Sequence, residues 1–108
     1  MAGFQGLQPD MKTRAIALVR GLRASGWRVT VTSGYRSLSA QARLYAARGQ
    51  NPYPVAPPGC SWHQHGLAID LVTDYPDLEG ASEEFGLYWA GERDPVHFQL
   101  PPIGENPC

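Results

Sequence analysis

Ser61-Trp62-His63-Gln64-His65-Gly66-Leu67-Ala68-Ile69-Asp70 is the stretch on which the reading of this chain turns. From Leu67 to Val72 the residues have strand character, with one carboxylate, Asp70, set among apolar neighbours. Burying a carboxylate there is costly unless it is paired or bound to a metal. His63 lies seven residues earlier. On a straight helix that offset separates two residues by about 10.5 Å, too far for one ion with bonds of about 2 Å. On a straight strand an odd offset puts them on opposite faces. A bend is therefore required, and Gly66 is the residue to supply it. The reading places His63 in a loop entering the strand, Asp70 within it, and His97 on a neighbouring final strand.

Outward from this stretch, Asp94-Pro95-Val96-His97 adds a second imidazole and a spare carboxylate. Two histidines, one ligating aspartate and a nearby acid/base make up the inventory of a catalytic zinc site with an open fourth position. Asp94 precedes His97 by three residues across Pro95, so a tight turn brings both toward one cleft. Asp94 is the candidate general base. His65 is given a role at the rim rather than as a ligand.

The remaining elements surround this pattern. Pro9 and Asp10 suit a helix start, and Met11, Ala15, Leu18, Val19 and Leu22 recur at helical spacing, predicting a helix from about Pro9 to Ser25. Trp27–Thr32 reads as a strand that ends in Ser33-Gly34-Tyr35-Arg36-Ser37. A second helix is expected from about Ser39 to Arg48, capped by Ser37 or Ser39, with Leu38, Ala42, Leu44 and Tyr45 toward the core. Four prolines make 51–59 an irregular loop. A short helix at 77–84, a short strand at 86–89 and a final strand at 96–100 complete an α+β fold, a small and mainly antiparallel sheet flanked by helices.

At 108 residues the chain is read as a single domain spanning 1–108. No apolar run approaches the roughly 20 residues needed to cross a bilayer, and the first residues lack a signal-peptide pattern, so neither membrane association nor ordinary export is expected. A net charge of −1 gives no case for nucleic acid. The charge is divided unevenly. Positions 1–50 carry eight Lys and Arg residues against Asp10, whereas positions 51–108 carry Arg93 against nine acids. One reading is two solvated faces. The other is an arginine-bearing half opposite a metal-bearing half across a cleft, suited to a substrate with carboxylates. Cys60 and Cys108 do not make a disulfide framework; Cys60 is read as a tolerated thiol, with a bridge to Cys108 left open. Arg36, after the Ser-Gly turn, offers a guanidinium for a carboxylate or an oxyanion.

Ser33-Gly34-Tyr35-Arg36-Ser37, Gln41, Ser61-x-His63-x-x-Gly66-x-Ala68-x-Asp70 and Asp94-x-x-His97-Phe98-Gln99 together resemble the zinc D-alanyl-D-alanine carboxypeptidases of the VanY type. The L-alanyl-D-glutamate endopeptidases of phage endolysins belong to the same family, within the Hedgehog-like metallopeptidase superfamily. The resemblance runs from about Thr30 to Leu100. It implies a peptidase acting on the stem peptides of bacterial peptidoglycan, with Zn2+ on His63, Asp70 and His97 and Asp94 as base. Arg36 would meet the substrate or the oxyanion, and Gln41, Ser61 and Trp89 would line the cleft. Asp94 stands where the carboxypeptidase branch typically has Glu and the endolysin branch often has Asp, which inclines the reading toward endopeptidase activity. The lack of a signal-peptide pattern suits a phage lysis enzyme or a domain with virion partners. The family's Trp-Gly-Gly-Asp-Trp stretch appears here as Trp89-Ala90-Gly91-Glu92-Arg93. The alternative is a metal-stabilised binding module of the same fold, as in the related Hedgehog signalling domain. Asp94 and Arg36 alongside the ligands favour the enzyme.

Overall fold

The computed structural model describes residues 3–108. Its first helix, α1, runs from Pro9 to Ala24 and buries the apolar stripe Met11, Ala15, Leu18, Val19 and Leu22. Pro9 occupies its start, where a missing N–H costs nothing, and Asp10 pairs with Arg14 across one turn at 3.0 Å. Four strands follow in the chain: β1 (Val29–Ser33), β2 (Ala68–Thr73), β3 (Tyr88–Trp89) and β4 (His97–Gln99). They form one sheet in the order β1-β2-β4-β3, with every pairing antiparallel. The α+β expectation is met.

Register in this sheet decides where chemistry can occur. Along β2 the side chains alternate between faces, and Ile69 and Leu71 are buried against α1 together with Phe98 of β4 and Val29 of β1. Asp70 therefore points the other way. Its register partners are His97 on one side and Ser33 on the other, the latter after an irregularity between Val31 and Ser33. One face of the sheet is thus core and the opposite face is the floor of a cleft.

The short helix α2 (Leu38–Ala46) begins where Ser37 accepts a hydrogen bond from the Ala40 amide, as its capping chemistry predicts. Its expected core residues need correction. Leu38 and Ala42 are exposed, Leu44 and Tyr45 are half-buried, and the buried residue of this helix is Gln41. The helix covers the cleft side of the sheet rather than the core side, so a hydrogen-bonding residue takes the inward position. A third helix, α3 (Leu78–Glu84), is capped by Asp77, whose carboxylate accepts from the Gly80 amide. The first strand starts two residues later than expected because the Trp27 amide donates to the Leu22 carbonyl and the Arg28 amide to Asp74 Oδ1, so neither joins the ladder.

Cys60 and Cys108 are bridged, with Cα atoms 4.6 Å apart. The reading of Cys60 as a tolerated free thiol is therefore replaced by the alternative left open. Neighbours in space but 48 residues apart in the chain, they carry no sequence signal of their pairing.

Candidate metal centre and cleft

His63 sits in a single 3-10 turn, Trp62–His65, that enters β2. Ser61 caps this turn, its hydroxyl accepting from the His63 amide at 3.2 Å. Gly66 ends it with φ 69° and ψ 26°, in the left-handed region that glycine enters without strain. A Cβ at Gly66 would also lie 2.7 Å from the Gly6 carbonyl oxygen. The chain thus bends at the residue expected to bend it, and His63 returns over Asp70. The turn is pinned from the α1 side as well: Gln8 donates through its backbone to the Gly66 carbonyl and through its side chain to the His65 carbonyl.

Three side chains converge at this point. His63 Nε2 lies 3.1 Å from Asp70 Oδ1, and His97 Nδ1 lies 3.2 Å from the same oxygen. One ligand atom from each residue falls within 4.8 Å of the others, compact enough for a single ion with bonds of about 2.0–2.2 Å. The outer nitrogens fix how the rings face. His63 Nδ1 donates to the Gly34 carbonyl at 2.7 Å, and His97 Nε2 donates to Gln99 Oε1 at 2.8 Å. Gln99 is oriented by donating from Nε2 to the Pro101 and Pro102 carbonyls. With their outer N–H groups engaged, both imidazoles turn their remaining nitrogen inward. Two imidazoles and a carboxylate, each held from behind, fit a zinc ion with an open position.

Burial alone would raise the pKa of Asp70, but hydrogen bonds and charge from His63 and His97 outweigh it and hold the carboxyl well below the usual range. His97 shows the converse. Burial works to lower its pKa, and the Asp70 carboxylate overrides this and raises it. Asp94 lies on the same side, with Oδ2 3.9 Å from His97 Nδ1. The turn that brings it there is closed by the His97 amide donating to the Asp94 carbonyl at 3.0 Å. Burial pushes the Asp94 carboxyl up, and the nearby Asp70 charge adds to the rise.

Arg36 is more engaged than the sequence suggests. Its Nη2 pairs with Asp70 Oδ2 at 2.8 Å, its Nε donates to Ser33 Oγ at 2.9 Å and its Nη1 donates to Gln41 Oε1 at 3.3 Å. Gln41 in turn donates to the Ala56 carbonyl at 2.8 Å, tying the proline-rich loop to the floor. The Arg36 amide donates to the His63 carbonyl. Ser33-Gly34-Tyr35-Arg36-Ser37 is therefore a bracket around the site, in which Ser33, Gly34, Arg36 and Ser37 each make a distinct bond.

Arg36, His63, Asp70, Asp94 and His97 line a cleft of about 690 Å³, with Gln41 and Ser61 also on its walls. Trp89 is placed elsewhere. It packs against the core, its Nε1 donates to the Pro95 carbonyl at 2.9 Å, and it borders a separate hollow beside Tyr88 and Leu87. It braces the Asp94–Pro95 turn from behind. Of the eight basic residues of the first half, Arg36 alone lines the cleft, so the picture of an arginine-bearing wall facing a metal-bearing wall is set aside. His65 is exposed and meets Trp62 edge-on. Sequence reasoning gave no role to the Gly34 carbonyl, which as a backbone group carries no side-chain signal, or to Gln99, whose place two residues after His97 on one strand face was the available sign.

Residues 5–90 match the family of VanY, D-alanyl-D-alanine carboxypeptidase. The chain belongs to this family of peptidoglycan peptidases. Asp94 and His97 lie beyond the matched span, and it is the pairing of β4 with β2 that brings them to the site of this VanY-family protein. No curated protein matches the sequence. Among solved structures, a vancomycin resistance D,D-pentapeptidase VanY variant in complex with Zn(II) shares the fold with a TM-score of 0.69 at 24% identity, over 88% of this chain and 73% of that one. VanYB in complex with D-alanine-D-alanine matches with a TM-score of 0.69 at 25% identity, over 86% of this chain and 70% of that one. The L-Ala D-Glu endopeptidase ChiX of Serratia marcescens matches with a TM-score of 0.60 at 28% identity, over 92% of this chain and 84% of that one.

Proposed function

We propose that this VanY-family protein is a zinc peptidase that hydrolyses amide bonds next to D-amino acids in peptidoglycan stem peptides. The observation that carries the reading is the convergence of His63, Asp70 and His97 beside Asp94 on the floor of one open cleft. Zinc, when bound by those three residues, supplies Lewis-acid polarisation of the scissile carbonyl and lowers the pKa of a water molecule. The chain's own groups do the rest. An Asp94 carboxylate oxygen takes the proton of the attacking water and passes it to the departing amine nitrogen, a role for which a raised pKa is suited. Arg36 keeps Asp70 in orientation and, with three of its five N–H groups engaged, has two left for a substrate carbonyl or a developing oxyanion.

Asp94, in the position where the carboxypeptidase branch typically carries Glu, supports an endolysin-like endopeptidase. The test is mass spectrometry of purified peptidoglycan digested by the zinc-loaded protein beside an Asp94→Ala control. Cut stem peptides are the expected products. Released D-alanine would instead make the protein a carboxypeptidase. No product from walls of several chemotypes, with zinc verified in the site, would replace the enzyme by a metal-stabilised binding module.

A further inference from the structure

The segment Pro101–Cys108 has no helix or strand, and most of it is exposed. Few contacts hold it: the Trp62 indole donates to the Glu105 carbonyl at 3.3 Å, Gln99 donates to the carbonyls of Pro101 and Pro102, and Cys108 is bridged to Cys60. A segment that buries so little has no packing reason to stay against the body. Yet Gly104, Glu105, Asn106 and Pro107 line the same cleft as His63, Asp70, Asp94 and His97. The loop from Asn51 to Ala56, tied down through Gln41, also lines this cleft. The bridge joins the outer end of the segment to Cys60, three residues before His63.

We infer that residues 101–108 are a wall of the substrate cleft, held in place by the Cys60–Cys108 disulfide, that grips the peptide while the floor performs the chemistry. The inference rests on the peptidase reading above. The backbone N–H and C=O groups of Gly104 and Asn106 have no partner among the described residues, so the wall presents free main-chain groups to an extended peptide. None of its residues touches Asp94 or the three converging side chains through a hydrogen bond, except by way of Gln99. Its loss should therefore weaken binding more than turnover.

Two measurements test this. In the Cys60→Ser/Cys108→Ser protein, shown by circular dichroism to be folded and by metal analysis to hold its zinc, KM for a synthetic stem peptide rises about tenfold while kcat stays within about threefold. An unchanged KM overturns the inference, as does a fall confined to kcat. In the bridged Asp94→Asn protein, whose turnover is slowed, hydrogen exchange shows the amides of Gly104–Asn106 slowed by the same peptide. Exchange unaltered by saturating peptide also overturns it. Protection of the wall in a protein whose wild type cleaves nothing would keep the wall and sink the peptidase reading. Cleavage with an unchanged KM and no protection would do the reverse.

Discussion

Asp94 and Arg36 sit on the same floor and act through different atoms, and their substitution should separate them. Asp94 is 3.9 Å from His97 and makes no hydrogen bond or ion pair with His63, so Asp94→Asn removes a proton acceptor while leaving the three converging side chains in place. kcat/KM is expected to fall by about 10²–10⁴-fold with zinc content unchanged. A variant with wild-type turnover would remove Asp94 from the mechanism. Arg36→Ala, by contrast, leaves Asp70 Oδ2 without its 2.8 Å partner. Zinc affinity, read by competition with a chromophoric chelator, should drop by about 10–100-fold, as for other groups that orient a ligand from behind. An unchanged affinity would confine Arg36 to substrate contact. That difference is one the sequence conceals: Arg36 reads there as a substrate group, and only the approach of β1 to β2 reveals the pair with Asp70.

At the scale of elements, the site depends on a turn that places one of the converging side chains and on a helix that lies outside the cleft. The Trp62–His65 turn places His63, and Gly66 closes it in the left-handed region. Gly66→Ala adds left-handed strain of about 1–2 kcal/mol and an overlap with the Gly6 carbonyl. Urea denaturation should show a loss of at least about 1 kcal/mol; a midpoint equal to wild type would mean that the turn relaxes freely. Helix α1 contributes through burial. Leu18 is fully buried in the core beneath the sheet, so Leu18→Ala is expected to cost about 2–5 kcal/mol in the same assay, large against a domain stability of about 5–15 kcal/mol. A cost under about 1 kcal/mol would show that the core repacks. The apolar stripe of α1 was legible in the sequence because five residues at helical spacing face one side. The inward face of α2 was not, because its buried residue is Gln41 and its apolar Leu38 is exposed.

At the scale of the whole molecule, three polar side chains from two strands and a turn meet on one face of a small sheet, so metal and fold should be coupled. Zinc that binds only the folded state adds about 2.7 kcal/mol when its free concentration is a hundred times Kd. For a domain of this size that is roughly 10 °C in Tm. Calorimetry should record such a fall after chelation and its recovery on adding zinc. A Tm indifferent to both would disqualify His63, Asp70 and His97 as a metal site.

The sequence by itself determined the alternation that isolates Asp70 from the core face of β2, the bend at Gly66 that returns His63 over it, and the helical stripe of α1. Each is a local consequence of residue type and spacing, with period 2, period 3.6 or a positive φ. The tertiary structure alone decided that β1 lies along the other edge of β2, that Trp89 braces the Asp94 turn instead of lining the cleft, that Arg36 is tied to Asp70, and that Cys60 meets Cys108. Apart from the Trp89 bond to Pro95, six residues away, these are contacts between residues far apart in the chain. No spacing rule encodes such contacts, because the distance between the partners is set by how the whole sheet closes.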